Sequence, residues 1–222
     1  MTKRLFISKN STDTNNLSAF LSPQNTALIS HSFLQFEGLN FKIDTNYDVI
    51  FFTSPRSVLF FKATLDIPRH VKIACTGSKT AELLEKMGYK VEFKGEQSGD
   101  IHHVADAFKI WAKNRTVLFP MSDISLRTVS SQLDSDSVVE VVVYKTIIKG
   151  FKIAPCDIYI FTSPSNVAGF LMENEVPTQA KIIAWGASTQ EALTQKGFKV
   201  NYTLKESSIE SLIEYWLEIS LI

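Results

Sequence analysis

At 222 residues the chain has room for one large domain or two of about 100–110 residues. It is 45% hydrophobic and 21% charged, with 16 phenylalanines to fill cores, an ordinary make-up for a globular protein. Lys+Arg and Asp+Glu both number 23, so the chain lacks the basic excess of a generic nucleic-acid binder, and no apolar run reaches the roughly 18 residues a membrane span needs.

In chain order, "MTKRLFISKN" opens with a short apolar run that reads as a strand. Its apolar core is too short for a signal peptide, so a cytoplasmic location is expected. A helix-compatible stretch leads to a further strand, "TALISHSF". Next comes "YDVIFFTSPRSV" (47–58), a β-rich apolar run that stops at Thr-Ser-Pro. Thr53 or Ser54 can cap the following helix, and Pro55 suits its first turn, where a missing N–H costs nothing. "KIACTGSKTAELLEKMGYKVEF" (72–93) then gives a strand, a glycine turn with a hydroxyl cap, a helix ending at Gly88, and a strand. "NRTVLFPMSD" is another strand. It leads through a helix-compatible stretch to "VVEVVVYKT".

From there the chain repeats itself. "CDIYIFTSPSNV" (156–167) answers "YDVIFFTSPRSV", and "KIIAWGASTQEALTQKGFKVNY" (181–202) answers 72–93, at a constant offset of 109 residues (Ser163 against Ser54) with no gap. Gly77/Gly186, Thr80/Thr189 and Gly88/Gly197 coincide. So long a period means a duplicated α/β module and not a solenoid. "KRLFISKN" and "NRTVLFPMSD" pair more weakly. Strands alternating with helices imply parallel sheets, so two doubly wound α/β domains are expected. The closing "SIESLIEYWLEISLI" is apolar at helical spacing and is expected to pack on its sheet.

Four strand–helix junctions, at 53–55, 76–80, 162–164 and 185–189, thus fall in equivalent places. Ligands of open α/β sheets bind beyond the carboxyl ends of the strands. Helix openings there offer unpaired N–H groups, each worth roughly 0.3–1 kcal/mol to an anion and ~2 kcal/mol when partly buried. If the two domains face each other, a large ligand with many carboxylates or phosphates is expected, held by local geometry without net protein charge. Cys75 and Cys156 sit in apolar runs as core residues. His102 and His103 are adjacent and lack the spacing of a metal site, and neither a GxGxxG, a GxxxxGK[ST] nor a GxSxG motif occurs, so neither metal nor cofactor is expected.

The ordered set "FTSPRSV", "TGSKTAELLEKMGYKV", "VVVYKT", "FTSPSNV" and "WGASTQEALTQKGFKV", covering about residues 48–202, resembles the uroporphyrinogen-III synthase family. The resemblance implies two flavodoxin-like α/β domains: residues 1–27 with 149–222, and 39–137. The segments 28–38 and 138–148 are then hinge strands that cross between them. Cutting at the repeat alone would give 1–110 and 111–222. The implied activity is a lyase step of tetrapyrrole (haem, sirohaem or cobalamin) biosynthesis. It closes hydroxymethylbilane, a linear tetrapyrrole with eight carboxylates, with loss of water and inversion of the last ring. The protein is expected to act as a monomer, with hydroxymethylbilane synthase as its upstream partner.

Tyr144 is then the candidate proton donor. Thr53, Ser54, Gly77, Ser78, Thr80, Thr162, Ser163, Gly186, Ser188 and Thr189 are candidate substrate contacts at the helix openings, and Arg56, Lys79 and Arg127 are candidate partners of its carboxylates. Ser165 and Ser188 replace Arg56 and Lys79 in the second module, so the first module is the more basic. Two rival readings use the same helix openings. One is a non-catalytic binding protein for a small polyanion. The other is a synthase-like domain that has lost activity.

Overall fold

The computed structural model describes residues 2–96 and 101–220. In chain order the elements are β1 (Lys3–Ile7), α1 (Asn15–Leu21), β2 (Thr26–Ser30), β3 (Leu34–Gly38), β4 (Val49–Phe52), α2 (Pro55–Lys62), β5 (Lys72–Cys75), α3 (Ser78–Lys86) and β6 (Val91–Lys94). They continue with α4 (Ile101–Trp111), β7 (Val117–Ser122), β8 (Val138–Ile148), β9 (Ile158–Phe161), α5 (Pro164–Leu171), β10 (Lys181–Ala184), α6 (Ala187–Gln195), β11 (Tyr202–Thr203) and α7 (Ile209–Ser220). The chain divides into two compact units, Met1–Gln35 with Ile147–Ile222, and Phe36–Thr146.

In the first unit five parallel strands lie in the order β11-β10-β9-β1-β2. The second sheet runs β3-β8-β7-β4-β5-β6, with β8 through β6 parallel. β3 runs against β8 at its edge: Leu39 N–H donates to Val143 O and Lys149 N–H to Phe33 O. With β7 matched to β1, β8 to β2 and β4–β6 to β9–β11, the two strand orders agree apart from the extra edge strand β3, so the duplication extends beyond the gapless repeat. In both sheets the strand order reverses at one point, between β1 and β9 in the first and between β7 and β4 in the second.

The repeat carries matching local chemistry. Tyr89 N–H donates to Leu84 O and Gly88 N–H to Glu85 O; Phe198 N–H donates to Leu193 O and Gly197 N–H to Thr194 O. Both are Schellman endings, and both need the left-handed φ of +85° and +84° that glycine supplies without cost. At the other strand ends, the Asp48 carboxylate accepts from Thr116 N–H (2.9 Å) and the Asp157 carboxylate from Arg4 N–H (2.8 Å), tying each reversal point together at its base. β4 and β9 are buried along their whole length because helices cover both faces of each sheet.

Three sequence expectations fail locally. "FKVNY" yields a strand of only Tyr202–Thr203. The stretch after β7 forms no α-helix; it makes 3-10 turns at Ser130–Gln132 and Ser135–Ser137, in a segment rich in Ser and Asp, which compete for backbone bonds. The expected single strand over 28–38 is divided between two strands, β2 and β3, separated by residues 31–33.

Candidate functional site

The residue ending or following each strand is a hydroxyl at Ser8, Ser30, Thr53, Thr76, Ser122 and Thr162, so the carboxyl edge of both sheets is a polar rim. In the first unit this rim is knit together at the strand-order reversal. Thr162 N–H donates to Ser8 Oγ (2.8 Å), Thr162 Oγ1 donates to Ser8 O (2.7 Å), and the two hydroxyl oxygens lie 3.1 Å apart. Beside it, Lys9 Nζ lies 5.1 Å from the Trp185 ring centre. The reversal in the second unit is open instead. A cavity of about 230 Å³ lies there, lined by Thr53, Thr76, Ile101, Phe119, Met121 and the segment 125–130.

The four helix openings are of two kinds. Ser54 caps α2: Ser57 N–H donates to Ser54 Oγ (3.2 Å) and Ser54 N–H to Ser57 Oγ (3.3 Å). Ser163 caps α5 in the same way, accepting from Asn166 N–H (3.2 Å). Proline at the first helical position removes a second donor, so only the N–H groups of Arg56 and Ser165 stay open in those first turns among the described residues. At α3 and α6 the caps are Gly77 and Gly186, with no side-chain bond, where the sequence suggested a hydroxyl cap. Glycine leaves the N–H groups of Ser78 and Lys79, and of Ala187 and Ser188, without an acceptor among the described residues. The expectation of four equivalent cradles therefore reduces to two open openings and two largely self-satisfied ones.

The candidate contacts separate accordingly. Ser78, Lys79 and Ser188 are exposed, whereas Thr80 and Thr189 are buried. Thr162 is occupied by Ser8, and Thr53 lines the cavity. The Arg56 guanidinium lies 3.4 Å from the centre of the Phe36 ring. Arg127 has its Nε 2.8 Å from Glu140 Oε2 on β8, and Ser130 Oγ donates to the other oxygen of that carboxylate (2.6 Å), so Arg127 is already paired.

Tyr144 lies on β8 where the ladder slips: Met121 faces Val142, but Ser122 faces Tyr144, leaving Val143 as an extra residue. Side chains alternate faces along a regular strand, yet both Val143 and Tyr144 belong to the same core cluster because of this bulge. The ring stacks on Phe60 (centres 5.0 Å apart) and meets Phe36 edge-on (6.1 Å). Every fully buried side-chain N or O has a partner among the described residues, and the Tyr144 hydroxyl has none, so it reaches solvent while the ring is buried. Cys75 and Cys156 are buried, and burial pushes both thiols up to about 11, which makes them inert packing groups. The aromatic flanks of Tyr144, Thr76 and Ser8 were absent from the sequence reading. The last two carry a signal, a hydroxyl residue directly after an apolar strand, as at β4 and β9.

The family model described as uroporphyrinogen-III synthase HemD matches residues 22–214. The chain belongs to the uroporphyrinogen-III synthase family. A curated uroporphyrinogen-III synthase of Chlorobaculum parvum (strain DSM 263 / NCIMB 8327) is 28% identical over 180 residues, covering 71% of this chain and 73% of the relative. The crystal structure of uroporphyrinogen-III synthetase from Helicobacter pylori 26695 aligns over 99% of this chain and 100% of its own, with a TM-score of 0.73 at 18% identity. A mutant uroporphyrinogen III synthase of the extremely thermophilic bacterium Thermus thermophilus aligns over 99% and 98%, with a TM-score of 0.62 at 14% identity. At those identities the two structures speak for the fold, and the family model for membership. Among the described residues, no helix is long and apolar enough to cross a membrane.

Proposed function

We propose that this synthase-family chain converts hydroxymethylbilane to uroporphyrinogen III, and that Tyr144 is its proton donor. The observation that carries the acid role is the Tyr144 phenol: a buried ring held by Phe60 and Phe36, with a hydroxyl that has no protein partner and meets solvent at the carboxyl edge of its sheet. A phenol O–H aimed at solvent can give its proton to a leaving hydroxyl. That hydroxyl departs as water and leaves an electrophilic azafulvene. The substituted α-carbon of the last pyrrole then attacks, forming a spiro intermediate that fragments. The freed ring recloses through its other α-carbon and loses a proton, which inverts it.

Because the free bilane also closes without inversion, the protein's task is to favour one folded geometry, which is catalysis by positioning. The open amides at Ser78 and Lys79 and at Ala187 and Ser188 are proposed to hold carboxylates, with Arg56 and Lys79 adding charge. The reading also takes 28–38 and 138–148 as hinge strands. It places the enzyme in the cytoplasm as a monomer supplied by hydroxymethylbilane synthase.

The test is to incubate fresh hydroxymethylbilane with the protein and separate the oxidised type I and type III isomers; an excess of type III is expected, and type I alone refutes the activity. Tyr144→Phe keeps the ring packing and is expected to lower kcat about 10²-fold. Unchanged turnover removes the acid role.

A further inference from the structure

We propose that residues 123–128 form the wall of a subsite for a single pyrrole ring of the bilane, with Leu126 covering the ring face. This rests on the functional reading above. Two features of position support it. The cavity that Leu126 lines lies where the strand order reverses between β7 and β4, the place where open α/β sheets bind ligands. At the equivalent place in the first unit the two strand ends are bonded to each other, Ser8 to Thr162.

The loop is also held in shape before any ligand arrives. Asp123 N–H donates to Tyr144 O (3.2 Å), and the Asp123 carboxylate accepts from Thr146 N–H (2.9 Å). Ser125 N–H donates to Ser122 O (3.2 Å), and the Arg127–Glu140–Ser130 bonds fix the far side. Arg127 adopts a left-handed φ of +56°, a conformation that costs energy for a residue with a side chain and that clusters at ligand sites. This pinned backbone presents Leu126 at 92% exposure and Ile124 at 56%. Apolar side chains held out in water on a preset loop bind with little further loss of freedom.

Size and chemistry narrow the occupant. About 230 Å³ falls below the roughly 300–1,000 Å³ of pockets that enclose drug-sized ligands, so the recess takes a part of the bilane and not the whole. Its floor is apolar, from Phe119 and Met121, and Thr53 and Thr76 supply hydroxyls. A pyrrole has that same division, with apolar faces and an N–H and carboxylate arms at its edge. The bonds from Asp123 to Tyr144 and Thr146 couple the placement of this ring to the strand that carries the proton donor.

The experiment measures KM, kcat and the isomer ratio for Leu126→Asp and Leu126→Met, alongside thermal unfolding. Leu126→Asp is expected to raise KM about tenfold, the factor given by about 1.4 kcal/mol of lost apolar contact, with the melting temperature unchanged because the side chain packs on nothing. Leu126→Met is expected to restore the wild-type KM. A KM within twofold of wild type for Leu126→Asp, in an enzyme that makes type III, overturns the subsite alone. Wild-type protein that yields only type I overturns the functional reading and the subsite with it.

Discussion

The two modules pack the same helix position against neighbours of opposite size. At the offset of 109 residues, Phe60 of α2 corresponds to Gly169 of α5. In the second unit Phe60 is large and meets the small Gly38, where an added Cβ would come within 3.1 Å of the Phe60 ring. In the first unit the helix residue is the small one: a Cβ on Gly169 would lie 2.4 Å from Phe33 Cβ and 3.0 Å from Ile148. What the large helix residue provides in the second unit is a stacking partner for Tyr144, which the first unit has no use for. Duplication kept the caps, the Schellman glycines and the strand-base aspartates, and it left the rim free to diverge.

Gly169→Ala breaks this comparison hardest. Its new Cβ meets the Cβ of Phe33, which cannot swing aside, so a loss of about 2–3 kcal/mol is expected in denaturant unfolding. Gly38→Ala meets only the edge of a ring and is expected to cost less than half as much. Equal losses at the two sites sink the size-exchange account.

A smaller gap is expected between Asn166→Ala and Ser57→Ala, the two residues three positions past the serine caps. Asn166 Oδ1 accepts from the buried Phe33 N–H (2.9 Å), so its removal strands that donor and is expected to cost about 1–3 kcal/mol. Ser57 bonds only within its own capping box, and about 1 kcal/mol is expected from its loss. Chemical unfolding of both variants reads the difference directly.

The smallest effect concerns charge. Arg56→Ser with Lys79→Ser gives the helix openings of the second unit the two serines found at the equivalent positions of the first. These are exposed groups, so KM is expected to rise only about three- to tenfold, less at high salt, with kcat little changed. A loss of kcat with KM unchanged would move both residues from binding to the chemical step.

Much of the fold could be read from the sequence because the repeat constrains it twice. Gly88 and Gly197, Ser54 and Ser163, and the four-residue buried strands each announce themselves by a local rule that holds regardless of what lies around them. The failures have a common cause, which is dependence on distant neighbours. Thr80 and Ser78 are both polar letters in a helix opening, and only the helix phase sends one into the core and the other to water. Arg127 reads as a free cation until Glu140, thirteen residues on, is found beside it. The silencing of the α2 opening needed the rotamers of Ser54 and Ser57, and the slip beside Ser122 needed the pairing register.

That slip carries a consequence for the engineering of such strands. Were the ladder to run on evenly, Val143 would take the place opposite Ser122, and the phenol would swing to the reverse side of the sheet. The aim of the tyrosine is thus written in a residue count, so a graft that trims the surplus valine preserves the letter and discards its direction.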